Sequence, residues 1–240
     1  MRAILVFHSI DDSGSVLSYP AKTLDGLLEA LERSHIPVMD LDTLLRPETQ
    51  CGVALTFDDG IRSVFTDALP ILRSRCVPAH LFLTTGYVGL TNRWPTQPAQ
   101  APLFEMLSWS EIESLRAAGV RIEAHTASHP DLRSLNDDNL HEECERADEA
   151  ISSRLGYQPR YFAYPYAQSN ARVRAFAGLR YAACLAGGTR TLERDEDMSA
   201  LPRIDSYYLQ SERIYRDLRS RRSRTYLWAR RTLRRLRNAP

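Results

Sequence analysis

The sequence predicts a parallel α/β fold, an open sheet or a barrel, followed by a basic amphipathic helix. Three observations carry this. Short β-rich apolar runs alternate with helical stripes along most of the 240 residues. Apolar residues make up 43% and charged residues 25%, the mix of a chain that buries a core and not of a disordered one. Residues 211–240 hold eleven Arg against Glu212 and Asp217, a balance of +9; because the whole chain is +1, the rest carries −8.

The elements follow in order. Ala3–Phe7 reads as a buried strand ending at His8, and Thr23–Arg33 as a helix with Thr23 as N-cap and Leu24, Leu27, Leu28 and Leu31 on one face. Val53–Phe57 is a second strand, stopped by Asp58, Asp59 and Gly60; Ser63–Ser74 is a helix that Pro70 bends or splits. Ala79–Leu83 is a third strand. A long loop with Pro95, Pro98 and Pro102 then runs from Gly86 to about Ser108, a length typical of lids and binding loops. Ser110–Ala118 reads as a helix capped by Ser110, and Val120–Ala124 as a strand running into His125. Asn136–Leu155 is a long helix closed by Gly156, and Tyr161–Ala163 and Ala182–Leu185 are short strands around a further helix. One domain over residues 1–210 with a tail over 211–240 is the expected organisation.

Apolar runs such as Ala3–Phe7 are far too short to span a bilayer. The run from Met1 straight into a strand reads as lacking a secretory signal, so a Sec-exported protein is not expected. Cys51, Cys76, Cys144 and Cys184 form no CxxC pair, so reduced thiols and a cytoplasmic address are expected.

Functional residues of parallel α/β folds collect at the carboxyl ends of strands. Here those ends carry His8, Asp58 with Asp59, His125 with His129, and Tyr164-Pro165-Tyr166. Two imidazoles and a carboxylate make a three-ligand site with open positions, suited to Zn²⁺, Fe²⁺ or a similar ion. Two adjacent Asp cannot both reach one ion without strain. One can bind while the other takes a proton from an attacking water, and a further His can protonate a leaving amine. The residue types therefore point to metal-assisted hydrolysis of an amide or ester. His80, inside a strand, reads as structural; His35 and His141 read as surface residues.

TFDDG at Thr56–Gly60, HTASH at His125–His129 and FAYPYA at Phe162–Ala167, in this order, resemble the polysaccharide deacetylases, carbohydrate esterase family 4. The resemblance covers about residues 1–210. It implies a distorted (β/α) barrel of about seven parallel strands, a divalent ion (zinc first; cobalt, nickel or iron as alternatives), and removal of an acetyl or other small acyl group from an amino sugar. It implies that Asp58 is the catalytic base, that Asp59, His125 and His129 are the metal ligands, and that the backbone N–H of Tyr166 helps hold the oxyanion. The family's acid His lies near the C-terminus, but no His follows His141. ILVFHSI resembles that strand moved to the front, as in permuted members, which makes His8 the expected acid. The Arg that orients the catalytic Asp is replaced by Ala163; Arg203, or else Arg160, is expected to stand in for it. Trp94, Asn92 and Tyr164 are the expected substrate contacts, with Trp94 offering its ring to a sugar face.

At 100° per residue, residues 213–237 gather Ile214, Tyr215, Leu218, Tyr226, Ala229, Leu233 and Leu236 on one side. Arg213, Arg216, Arg224, Arg230, Arg231, Arg234 and Arg235 lie opposite, Trp228 lies near the apolar edge, and Arg222 and Leu227 break the pattern. Residues 212–237 are therefore expected on an anionic membrane surface, with packing on the barrel, or binding of nucleic acid or another partner, as the alternatives. A tail at the inner membrane face suits a lipid-linked or nascent amino-sugar glycan as partner. The acidic body argues against nucleic acid. Hydrolysis of another small amide, imide or formyl group, or a non-catalytic glycan-binding role, are the competing functions.

Overall fold

The computed structural model describes residues 1–98 and 100–237, the side chains of 234–237 excepted. The elements are β1 (Arg2–Phe7), α1 (Ala21–Arg33), α2 (Leu41–Leu44), β2 (Gly52–Phe57), α3 (Leu69–Ser74), β3 (His80–Leu83), α4 (Trp109–Ala117) and β4 (Arg121–Ala124). After these come α5 (Asp137–Leu155), β5 (Tyr161–Ala163), α6 (Ala171–Arg180), β6 (Ala183–Ala186), β7 (Leu201–Pro202), β8 (Ile204–Asp205), α7 (Glu212–Tyr215) and α8 (Arg221–Arg237). All strands are parallel, in the order β7-β6-β5-β4-β3-β2-β1-β8. The architecture is a nearly closed, distorted (β/α) barrel.

Closure happens at one residue. Leu201–Pro202 pairs with β6 and Ile204–Asp205 with β1, so only Arg203 separates the strands that meet the two edges of the sheet. Counting β7 and β8 as one interrupted segment recovers the expected seven. The segment is held from behind: the Thr189 N–H donates to the Arg203 carbonyl at 2.9 Å, and a Cβ on Gly188 would lie 2.6 Å from Pro202 Cβ. Only glycine permits that approach.

Strand parity sorts the side chains. Ala3, Leu5 and Phe7 of β1, Val53, Leu55 and Phe57 of β2, and Leu81 and Leu83 of β3 face the helices and are buried in the main core. Each such large side chain contributes roughly 1.5–3 kcal/mol, so this outer layer dominates stability. Ile4, Ala54, Phe82, Tyr161, Ala163 and Leu185 fill the barrel interior. Above that plug the same inward parity delivers Val6, His8 and Asp58 to a cavity at the carboxyl ends of the strands.

Some boundaries differ from expectation for local reasons. The first helix begins at Ala21 behind Pro20, whose φ of −61° leads into it, so Thr23 is not the cap. Ser108, not Ser110, caps α4 in a capping box with Glu111. The helix expected over 63–74 is a π turn, Val64–Ala68, followed by α3, and Pro70, which lacks an N–H, sits at the junction. All four cysteines are free.

The tail is not one continuous amphipathic helix. α7 and α8 are separate, and Ile214, Leu218 and Leu227 are buried in the main core while Tyr215 and Tyr226 pack against it. The apolar side thus meets the barrel, and Leu227, which breaks the single-helix pattern, is part of that contact. Trp228 and Leu233 remain 66% and 54% exposed. The side chains of Arg234, Arg235 and Leu236, and residues 238–240, lie outside the described residues.

Candidate active site

Asp58 directly follows β2, its N–H donating to the Phe7 carbonyl at 2.9 Å, which sets it beside His8 at the end of β1. Arg203 reaches it from the barrel seam: Nη1 and Nη2 each donate to one carboxylate oxygen at 2.7 Å, and both residues are buried. Arg203 thus fills the place expected of it. Arg160 does not; it is on the surface and pairs with Asp42 at 3.1 Å. Burial alone would raise the Asp58 pKa, but the Arg203 charge and, behind it, His125 outweigh burial and hold the carboxyl below its usual range.

Asp59, at φ 72°, turns its side chain the other way. Its Oδ1 lies 3.4 Å from Nε2 of both His125 and His129, and one donor atom from each of the three residues falls within 4.8 Å of the others. Burial opposes ionisation of Asp59, yet hydrogen bonds from the two imidazoles keep it well below the usual carboxylate range. His125 Nδ1 is 2.7 Å from the Ala163 carbonyl, which can only accept, so Nδ1 carries a proton and Nε2, the atom turned to Asp59, is the one that could ligate an ion. Two imidazole nitrogens and one anionic oxygen, buried and convergent, fit a borderline divalent ion such as zinc.

The loop between the two histidines is held rather than merely placed. Thr126 and His129 both have positive φ, and the His129 N–H donates to Thr126 Oγ1 at 3.0 Å. Glu143 on α5 accepts from Ser128 N–H at 2.8 Å, from Ser128 Oγ at 2.7 Å and from Ala127 N–H at 3.1 Å. Gly86 N–H donates to the Ala127 carbonyl at 2.8 Å, and a Cβ there would stand 2.6 Å from that oxygen. From above, Trp94 lies on the His129 ring at 4.3 Å between centroids. Thr96 Oγ1 donates to the His129 carbonyl at 2.9 Å and therefore accepts from Tyr166 OH at 2.7 Å.

The cavity above these groups has a volume of about 600 Å³. His8, Asp58, Asp59, His125, His129, Tyr166 and Arg203 line it together with Tyr207 and Tyr208. Two expected substrate contacts, Asn92 and Tyr164, need correction. Asn92 is fully buried, its Nδ2 donating to the Pro102 carbonyl at 3.1 Å and its Oδ1 accepting from Phe104 N–H at 2.7 Å; it ties the long loop together. Tyr164 is fully buried on the helix side, because parity turns it outward after the inward Ala163, and its hydroxyl donates to the Ser199 carbonyl. Trp94 lines the cavity but is only 5% exposed, its ring committed to His129 rather than open to a sugar face. His80 is structural as expected: buried in the barrel, it accepts from Leu41 N–H at 3.0 Å. His35 and His141 are exposed.

The sequence reading missed Glu143 and Thr96. Glu143 is one acid on a strongly charged helix, and nothing local distinguishes it. Tyr207 and Tyr208, in the turn after β8, carry no motif that marks them as cavity residues.

A parallel barrel whose strand ends converge an Asp–His–His donor set and a separate, Arg-held carboxylate defines the class of barrel hydrolase-like sites. Comparison with known proteins makes this specific. The sequence model of the polysaccharide deacetylase family matches residues 46–182. A chitin deacetylase of Colletotrichum lindemuthianum is 30% identical over 153 residues, 63% of this chain and 56% of that one. The poly-β-1,6-N-acetyl-D-glucosamine N-deacetylase of Staphylococcus aureus is 26% identical over 173 residues, 66% and 52% of the two chains. This chain thus spans about half the length of those two relatives. The Streptococcus pyogenes deacetylase PplD, solved in complex with acetate, has the same fold, with a TM-score of 0.73 at 20% identity over 85% of this chain and 91% of that one. The chain belongs to the polysaccharide deacetylase family.

Proposed function

We propose that this protein is a metal-dependent N-deacetylase that removes an acetyl group from an amino sugar in a nascent or lipid-linked surface glycan. One observation carries the reading: the Arg203-held Asp58 and the Asp59–His125–His129 donor set converge on the floor of one cavity. The names of the relatives, which act on chitin and on poly-β-1,6-N-acetyl-D-glucosamine, support an N-acetylated amino sugar as substrate.

Asp59, His125 and His129 would hold the ion, zinc by donor type, and a divalent ion bound there supplies polarisation of the amide carbonyl and a more acidic water. Asp58 takes the proton from the water whose oxygen adds to the acyl carbon. Arg203 fixes both Asp58 oxygens, so the carboxylate cannot swing onto the donor set. The oxyanion is met by the backbone N–H of Tyr166, whose φ of 58° turns the chain at the cavity wall. His8 protonates the amine as the C–N bond breaks, giving acetate and a free amino sugar.

The test is acetate release by the purified, metal-reconstituted protein from lipid-linked N-acetylhexosamines, nucleotide sugars and soluble oligosaccharides. Release that is lost in Asp58→Asn supports the proposal. Metal-bound protein that releases nothing from any of them contradicts it.

A further inference from the structure

We propose that the cavity mouth and the outer face of α8 form one docking surface for an anionic lipid bilayer, with the cavity opening toward the lipid. Three independent features of the described surface converge here.

The first is apolar. Nine large apolar side chains are exposed among the described residues; three of them, Val16 (68%), Tyr166 and Tyr207, line the cavity, and Trp228 and Leu233 lie on α8. The second is proximity. The Arg230 guanidinium stands 5.0 Å from the ring centroid of Tyr208, which lines the same cavity next to Tyr207, so α8 touches the cavity wall. The third is charge. The tail carries +9 and the body −8, so an anionic surface attracts the α8 side and repels the rest, which orients the molecule before any contact.

Helix geometry gives the depth. Trp228 and Leu233 fall about 100° and 120° to either side of buried Leu227, and exposed Arg221 and Arg222 lie in the arc between them. An outward face with Trp, Leu and Arg suits the headgroup boundary, where rings and aliphatic groups insert and guanidinium groups stay among the phosphates. No described helix is long and apolar enough to cross a membrane. Docking in the plane of the surface is what α8 can do. Only the choice of a lipid-borne amino sugar as cargo rests on the deacetylase reading; the docking itself does not.

The test uses the full chain with vesicles of phosphatidylcholine alone and of phosphatidylcholine mixed equally with phosphatidylglycerol, with brominated lipid as quencher. Sedimentation with the mixed vesicles only, reversed by salt, is expected, with tryptophan quenching that disappears in Trp228→Phe. Arg221→Gln and Arg222→Gln should each weaken partitioning about fivefold. A Val16→Trp reporter in the Trp228→Phe background should be quenched again if the mouth faces the lipid. Absence of sedimentation, binding to nucleic acid in its place, or a dimer that covers Trp228 overturns the proposal. Sedimentation with an unquenched Val16→Trp reporter overturns the orientation. Acetate release from a soluble oligosaccharide, measured alongside, should be unchanged in Trp228→Phe. Its failure in the wild-type chain would count against the deacetylase reading and leave the docking result standing.

Discussion

Arg203 holds both carboxylate oxygens of Asp58 at 2.7 Å from the one residue at which the barrel changes strand partners. Closure of the fold and orientation of the proposed base are therefore the same structural event. A bidentate guanidinium is the group that can do this, since it matches a carboxylate edge to edge.

Removing it should be visible in the pH profile. Burial raises the Asp58 pKa and Arg203 lowers it, with the net result below the ordinary value. Arg203→Ala removes the strongest lowering influence and leaves burial opposed only by the weaker His125 and His8 contributions, so the acid limb of kcat/KM should move to higher pH. The folded protein should also lose about 3–5 kcal/mol, because a buried carboxylate is left without its partner. Arg203→Lys should restore part of the stability but not the full alignment. Rate profiles and chemical denaturation of both variants check this, and an acid limb that stays put removes Arg203 from the mechanism.

Asp58→Asn should lower turnover by about 10²–10⁴-fold while leaving metal affinity within a few-fold, since Asp58 lies outside the donor set. Acetate release and metal titration on the same preparation separate the two effects. Equal losses in both would reassign Asp58 to the ion.

Glu143 holds the loop that carries His129, one of the proposed metal ligands. Glu143→Ala should weaken metal binding about 10–100-fold, because the Ser128 and Ala127 donors lose their acceptor. The proton-transfer groups are untouched, so turnover at saturating metal should recover.

Trp94 lies on the ring of His129, a proposed metal ligand, so its replacement should act on metal affinity before it acts on substrate. In Trp94→Phe a several-fold weaker metal affinity with little change in KM at saturating metal is expected. A raised KM at unchanged metal affinity would return Trp94 to the role of sugar platform.

What was legible in the sequence follows from what each signal depends on. Strand ends could be read because a β-rich run stops at a chemically capable residue, and this located His8, Asp58, Asp59, His125 and His129 without side-chain geometry. The stand-in for the missing Arg was legible only as a pair of options, since the seam that brings Arg203 across the barrel is a long-range event. Tyr164 was misplaced by one step of strand parity, from the inner face to the outer. Asn92 and Trp94 sit in a loop whose internal ties no periodicity records. The tail's apolar pattern was real, but the break between α7 and α8 turned most of it onto the barrel and left Trp228 and Leu233 outside.

The most direct measurement is acetate release from an N-acetylated amino-sugar oligosaccharide, or its lipid-linked counterpart, by the chelator-treated protein before and after one equivalent of Zn²⁺. The account predicts no release before addition, restored release after it, and no restoration in a His129→Ala protein given the same zinc. Release by the stripped protein, or equal restoration in His129→Ala, would contradict it.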